Sequence, residues 1–262
     1  MDTGFLGDRY QLGDPIGRGL TSQVFRARDI QKNRIVAIKI LKEQYSADPK
    51  FVAHFQRTAK AQSAFQHPNV MQVYGFGQAN GKHFIVMELV EGTDLRRYLR
   101  ARGVLDVDRA VIIAHSVALG LGAIHRHGMV HGDVQPQHIL LSRDGSIKLI
   151  ITRSGMEGDM MRYRVPEQAQ GGIAMAAADI YGLGLTLYEM LTGRSAFDGN
   201  TPVAMAMAHL LDAPIPPAQF NPTIPPALEA IILRCLEKKP EMRFQDGDEL
   251  AHALEMMGDS IS

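Results

Sequence analysis

Three side chains that could move a proton or hold a metal stand close together in Met129-Val-His-Gly-Asp-Val-Gln-Pro-Gln-His-Ile-Leu-Leu141: His131, Asp133 and His138. With His125 and His127 just upstream, the imidazoles raise a metal centre. A histidine without convergent partners is more often simply hydrogen-bonded, so none is expected here. A second group is cationic. Lys39 ends the apolar segment Val36-Ala-Ile-Lys39, where a buried ammonium needs a counter-charge or an anion. Arg153, Arg162 and Arg164 cluster further along and could border a phosphate. Gly17 and Gly19, in Ile16-Gly-Arg-Gly19-Leu-Thr-Ser-Gln-Val24, precede Lys39, but such a pair alone marks only a turn. The single cysteine, Cys235, excludes an internal disulfide framework and reads as core packing.

The chain has 262 residues, with Lys+Arg and Asp+Glu both at 28. That length can bury a sizeable core, and a net charge of zero gives no global case for nucleic acid or an anionic membrane. No apolar run approaches the ~20 residues of a membrane span. The first residues lack the basic and apolar regions of a signal peptide. A cytoplasmic protein is expected, or the cytoplasmic portion of a larger membrane protein, since the chain stops soon after Met257.

The elements that position these residues change character once. Up to Glu91 the chain reads as short strands, among them Gln23-Val-Phe-Arg-Ala and Ile35-Val-Ala-Ile-Lys-Ile40, with one helix over Phe51 to Phe65. Asn80-Gly81, between Val73-Tyr-Gly-Phe and His83-Phe-Ile-Val-Met87, signals a hairpin. Beyond Gly92 long helices take over. Asp106 is a natural N-cap for a helix running to His125, Asp179 to Leu191 is apolar nearly all round, and Ala227 to Glu237 forms another helix. The fold class is α+β, with a β-rich lobe over 1–91, an α-rich lobe over 92–262, and a ligand cleft expected between them.

Taken in order, the motifs resemble those of protein kinases. Gly17-Arg-Gly19 followed by Val36-Ala-Ile-Lys39 is similar to the Gly-rich loop and third-strand lysine. His131-Gly-Asp133-Val-Gln-Pro-Gln-His138 resembles the catalytic loop H-R-D-L-K-P-x-N, Val165-Pro-Glu167 resembles A-P-E, and Asp179-Ile-Tyr-Gly-Leu-Gly184 resembles a buried helix of the family. Lys239-Pro-Glu-Met-Arg243 matches the late arginine motif, and the style is that of bacterial serine/threonine kinases of the eukaryotic type. The resemblance implies that Glu167 pairs with Arg243 and that Asp179 accepts backbone N–H bonds from the catalytic loop. It places Ile16, Val24 and Ala37 above an adenine, Leu140 below it, and Met87 as gatekeeper. Backbone groups of Glu88 and Val90 would meet the base edge and Asp94 the ribose. Lys39 would be the phosphate lysine and Asp133 the base.

The same comparison exposes replacements. Aligning Phe55-Gln-Arg-Thr58-Ala59 with F-x-x-E-A puts Thr58 where a glutamate pairs with Lys39, and Phe51 to Phe65 contains no acidic residue. Gln135 stands for the loop lysine, His138 for the metal-holding asparagine and Ile151 for the metal-holding aspartate; an isoleucine has no oxygen for a hard cation. Gly132 replaces the loop arginine, and the stretch from Ile151 to Glu167 is short for an activation segment. Gln62 and Thr152 fall near normally apolar spine positions. Phosphoryl transfer is mostly positioning plus electrostatic stabilisation, so four altered parts point to a pseudokinase, a scaffold or allosteric regulator. It would need no cofactor, bind ATP or ADP weakly and without magnesium, and act on a protein partner such as an active kinase or an attached sensor. Alternatives are an atypical serine/threonine kinase with metal-independent use of ATP, and an adenine-nucleotide sensor.

Overall fold

The computed structural model describes residues 4–151, 166 and 175–259. Thr152, Arg153, Arg162, Arg164 and Glu167, singled out above, lie outside the described residues. Those described fall into two compact units, one ending at Glu91 and one beginning at Gly92.

In the first unit, β1 (Phe5–Leu6), β2 (Tyr10–Arg18), β3 (Ser22–Asp29), β4 (Arg34–Leu41), β5 (Val73–Ala79) and β6 (Lys82–Glu88) form one antiparallel sheet, ordered β1-β2-β3-β4-β6-β5. Alternation along β4 sends Val36, Ile38 and Ile40 to one face, where they join Leu6, Tyr10, Ala27, Phe84 and Val86 in a buried core. The opposite face receives Ala37 and Lys39. The Asn80-Gly81 turn has φ of 52° and 72°, the paired left-handed residues of a tight hairpin. Asn80 also donates from Nδ2 to the Phe5 carbonyl at 2.9 Å. The tip of the β5–β6 hairpin thereby bonds the backbone of β1, at the opposite end of the strand order. Arg9, at the start of β2, makes two bonds, 2.8 and 2.7 Å, to the fully buried Asp29 carboxylate at the end of β3. Between β4 and β5 come α1 (Glu43–Ser46) and α2 (Pro49–Ser63); Asp48 caps α2 by accepting the Lys50 N–H at 2.9 Å, and Phe55, Ala59 and Gln62 form its buried face.

The second unit opens with β7 (Gly92–Asp94), which pairs with β8 (Ile139–Ser142), and β8 pairs in turn with β9 (Ile147–Leu149) in a small antiparallel sheet. Among the described residues its α-helices include α3 (Leu95–Arg102), α4 (Val107–Arg126), α5 (Ala176–Thr192), α6 (Pro202–Leu211), α7 (Pro226–Cys235) and α8 (Gly247–Asp259). Asp106 caps α4, accepting the Arg109 N–H at 2.7 Å. By length and composition α4 could cross a membrane, contrary to the expectation that no run comes close. Its Ile113, Val117, Leu121 and Ile124 are buried, and it packs on α5 and α8, so its apolarity serves a protein core. At the α4–α8 crossing, a Cβ on Gly247 would strike the backbone at Gly122 and Ala118. Only two glycines let these backbones approach so closely. Cys235 is buried in this core, and burial pushes its thiol up to about 12, as expected of an inert packing residue.

Candidate functional site

Pairing register gathers the first group of candidates on one face of the first unit's sheet. Val24 lies opposite Lys39, Lys39 opposite Ile85, and Ala37 opposite Met87, so Val24, Ala37, Lys39 and Met87 share that face. Gly17 pairs with Val24 across a bulged β2, and Ile16 beside it is exposed. Gly19 donates its N–H to the Ser22 carbonyl at 2.9 Å, which makes the loop a closed turn. Lys42 then pins that turn: its N–H donates to the Thr21 carbonyl at 2.9 Å and its Nζ to the Leu20 carbonyl at 2.7 Å. Sequence reading missed Lys42, because nothing in a linear motif shows which carbonyl a lysine will reach.

Lys39 has an interaction partner, as a buried ammonium requires, although α2 supplies no carboxylate and Thr58 is only half-buried. Glu88 is drawn into the fold as well as the connector. Its N–H donates to the Gln72 carbonyl at 2.9 Å and its Oε1 accepts the Gln72 N–H at 2.7 Å. Val90 follows, half-buried.

The remaining candidates belong to the second unit. Asp94 and Leu140 face each other across β7 and β8. The Asp94 carboxylate is already engaged, because it caps α3 by accepting the Arg97 N–H at 2.8 Å and lies 3.2 Å from Arg97 Nε. A ribose would have to share it.

The loop after α4 is built around Asp179, which α5 holds fully buried. Oδ2 accepts the His131 N–H at 2.8 Å and Oδ1 the Gly132 N–H at 2.7 Å, as the resemblance implies. His125 donates from Nε2 to Oδ2 at 2.9 Å while its Nδ1 accepts the Gly247 N–H at 3.1 Å. A buried carboxylate with three donors is well compensated. His125 thus joins the start of α8 to the catalytic loop, a role that sequence spacing could not show. His127 bonds the Ala123 carbonyl at 2.8 Å, so these two imidazoles serve the helix end.

His131 is committed on both nitrogens: Nδ1 accepts the Asp133 N–H at 3.2 Å and Nε2 donates to the Ile150 carbonyl at 2.8 Å. Gly132 has φ of 76°, in the left-handed region. Asp133 accepts on Oδ1 from Gln135 Nε2 at 2.5 Å, and His138 donates from Nδ1 to the Asp133 carbonyl at 2.8 Å. Because a carboxylate only accepts, the Gln135 amide must turn its nitrogen to Asp133, which leaves Oε1 buried without a donor. Gln135 therefore restrains Asp133 as a lysine would, but adds no charge. The Ile150 N–H donates to the His138 carbonyl at 2.8 Å. With His131 on its carbonyl and His138 on its N–H, Ile150 is registered against the loop, and the next residue is Ile151.

Magnesium, which the fold family implies, does not fit this set. A hard divalent cation prefers several oxygen ligands; the two positions that the resemblance assigns to it hold an imidazole and an isoleucine.

Comparison with known proteins agrees with this architecture. The family model described as "Protein kinase domain" matches residues 10–255. A probable serine/threonine-protein kinase of Clostridium acetobutylicum is 36% identical over 261 residues, 95% of this chain and 40% of its own length. Serine/threonine-protein kinase PknB of Mycolicibacterium smegmatis is 35% identical, covering 94% of this chain and 42% of its own. PrkC of Bacillus subtilis is 36% identical, with 94% and 40% covered. This chain thus spans about two fifths of the length of these relatives. The crystal structure of the Mycobacterium tuberculosis PknI kinase domain superposes with a TM-score of 0.81 at 26% identity, covering 98% of this chain and 99% of that one. With its β-rich unit, its helical unit and its loop centred on Asp179, this chain belongs to the protein kinase family and has the bilobal α+β fold of that family.

Proposed function

We propose that this chain is a pseudokinase, a kinase domain that regulates a protein partner by binding rather than by transferring phosphate. The observation that carries this reading is the double hydrogen bond between Ile150 and the catalytic loop. It supports the assignment of Ile151, which cannot ligate a cation, to the place where the family holds its metal. His138, spending Nδ1 on the Asp133 carbonyl, leaves no oxygen at the second metal position. Gln135 brings an amide in place of an ammonium, so phosphate charge must be offset from Lys39 or elsewhere. Nucleotide then binds weakly and without metal, through the sheet face of Val24, Ala37 and Met87. The partner is a signalling protein, such as an active kinase or an attached sensor, and the domain works in the cytoplasm.

An atypical serine/threonine kinase is the second reading. It is favoured by the names of the relatives and by the hold of Gln135 on Asp133, which keeps a base oriented. Labelled ATP with magnesium and generic protein substrates decides between them. No transfer above the level of an Asp133→Asn variant is expected. Transfer that vanishes in that variant would establish the enzyme instead.

A further inference from the structure

The turn between β2 and β3 is held by one residue at the end of the neighbouring strand. β2 and β3 pair as far as Arg18 and Gln23, and Gly19 donates its N–H to the Ser22 carbonyl at 2.9 Å, so Leu20 and Thr21 form the tip. β3 pairs with β4 as far as Ser22 and Leu41, which brings Lys42 beside that tip. The Lys42 N–H donates to the Thr21 carbonyl at 2.9 Å, and the Lys42 carbonyl accepts the Tyr45 and Ser46 N–H groups of α1, both at 3.0 Å. Its backbone is thus fixed from both directions. From this base the side chain turns back, and Nζ donates to the Leu20 carbonyl at 2.7 Å. Only side-chain rotamers have to be ordered for that bond, which an ammonium makes with the strength of a charge-assisted one. Thr21, Ser22 and Leu41 are buried at this junction, whereas the Leu20 side chain is 52% exposed. Leu20 is therefore anchored through its backbone, by Lys42, rather than by packing of its side chain.

We propose that Lys42 is a positioning residue for nucleotide phosphate: it presets the backbone of the Gly-rich tip and brings that tip a positive charge. The inference rests on the nucleotide reading above and names a residue outside the motifs that suggested it. A Gly-rich loop covers phosphate with backbone N–H groups, and a loop ordered in advance loses less freedom when the ligand arrives. The need for such help is particular to this chain. Gln135 brings an amide where the family's catalytic loop has an ammonium, and Ile151 and His138 offer no oxygen to a metal. Fewer charges are left to hold a phosphate, so the order of the loop itself counts for more. Lys42 touches the loop rather than the ligand and acts through Leu20.

The test compares the native chain with Lys42→Met and Lys42→Arg, by calorimetry with ADP and with adenosine and by amide hydrogen exchange. ADP should bind Lys42→Met about three- to tenfold more weakly, the range that one net hydrogen bond gives, while adenosine, which has no phosphate, binds both alike. Lys42→Arg, whose guanidinium can reach the same carbonyl, should restore most of the ADP affinity. The Gly19 amide should exchange faster in Lys42→Met by about the same factor, and amides in the middle of β4 and β6 should not. Lys42 is exposed, so neither variant disturbs the core. An unaltered Gly19 amide, an unaltered ADP affinity, an equal loss for adenosine, or a Lys42→Arg as weak as Lys42→Met would each overturn the proposal. A native chain that binds neither ADP nor adenosine would overturn it together with the nucleotide reading, and the Gly19 amide would tell that failure from a failure of Lys42 to hold the tip.

Discussion

Arg243 is the side chain whose loss should cost most. Buried beside α5, it donates to the Glu237 carbonyl at 2.8 Å, the Ala177 carbonyl at 3.0 Å and the Lys238 carbonyl at 3.0 Å. Arg243→Met would strand these acceptors, each costing about 1–3 kcal/mol when left unpaired in the interior. Urea denaturation should report a loss of at least about 3 kcal/mol, and a loss below 1 would show that water replaces the arginine. Sequence reading made Arg243 structural by pairing it with Glu167; the three carbonyls were invisible to it, because backbone acceptors leave no mark in residue identity. Asp29 gives the acid counterpart. The hydrogen bonds from Arg9 hold its carboxyl below the usual carboxylate range, against the opposing effect of burial. Its contribution is therefore complete above the ordinary pKa of about 3.9 and drains away as pH falls through the lower native value. Asp29→Asn should lower stability at neutral pH and flatten the acid limb of a stability profile. An unchanged limb would remove Asp29 from the acid response.

Among the elements, the α4–α8 crossing is a tight join in the second unit. Gly247→Ala would push a methyl into the backbone at Gly122 and Ala118, and forcing extra volume into a packed contact costs typically 1–3 kcal/mol. Because the Gly247 N–H also feeds His125, the cost should extend to the loop. Exchange of the His131 and Gly132 amides should speed up in Gly247→Ala, and unaffected amides would show that α8 and the loop are uncoupled. Helices α2, α4, α5 and α7 were readable, as was the Asn80-Gly81 hairpin, because apolar period and turn chemistry are local, whereas α3, α6 and α8 were not singled out. The contact between that hairpin and β1 was not readable, since it joins residues seventy-five apart. Asn80→Ala should lose both the side-chain bond and the tolerance of positive φ, roughly 1–2 kcal/mol in all.

For the whole molecule, the reading turns on metal. If Ile151 and His138 alone prevent magnesium from binding, Ile151→Asp with His138→Asn should make ATP raise the melting temperature in a magnesium-dependent way, whereas in the native chain magnesium should add little. Equal magnesium dependence in both proteins would show that other residues already supply the ligands. The family and the order of its motifs were legible because motif spacing survives replacement of motif chemistry. The use of Asp94 as a helix cap was not, since a motif names a position without naming its partners.

Gly132 leaves room for a side chain that its backbone does not favour. At φ of 76° it lies where side-chain-bearing residues are disfavoured, although nothing lies within 4 Å of the place a Cβ would occupy. An arginine placed here therefore meets a backbone obstacle of about 1–2 kcal/mol rather than a steric one. The loop can gain a side chain at this position without repacking its neighbours, provided that Asp179 still holds the two amides that fix the turn.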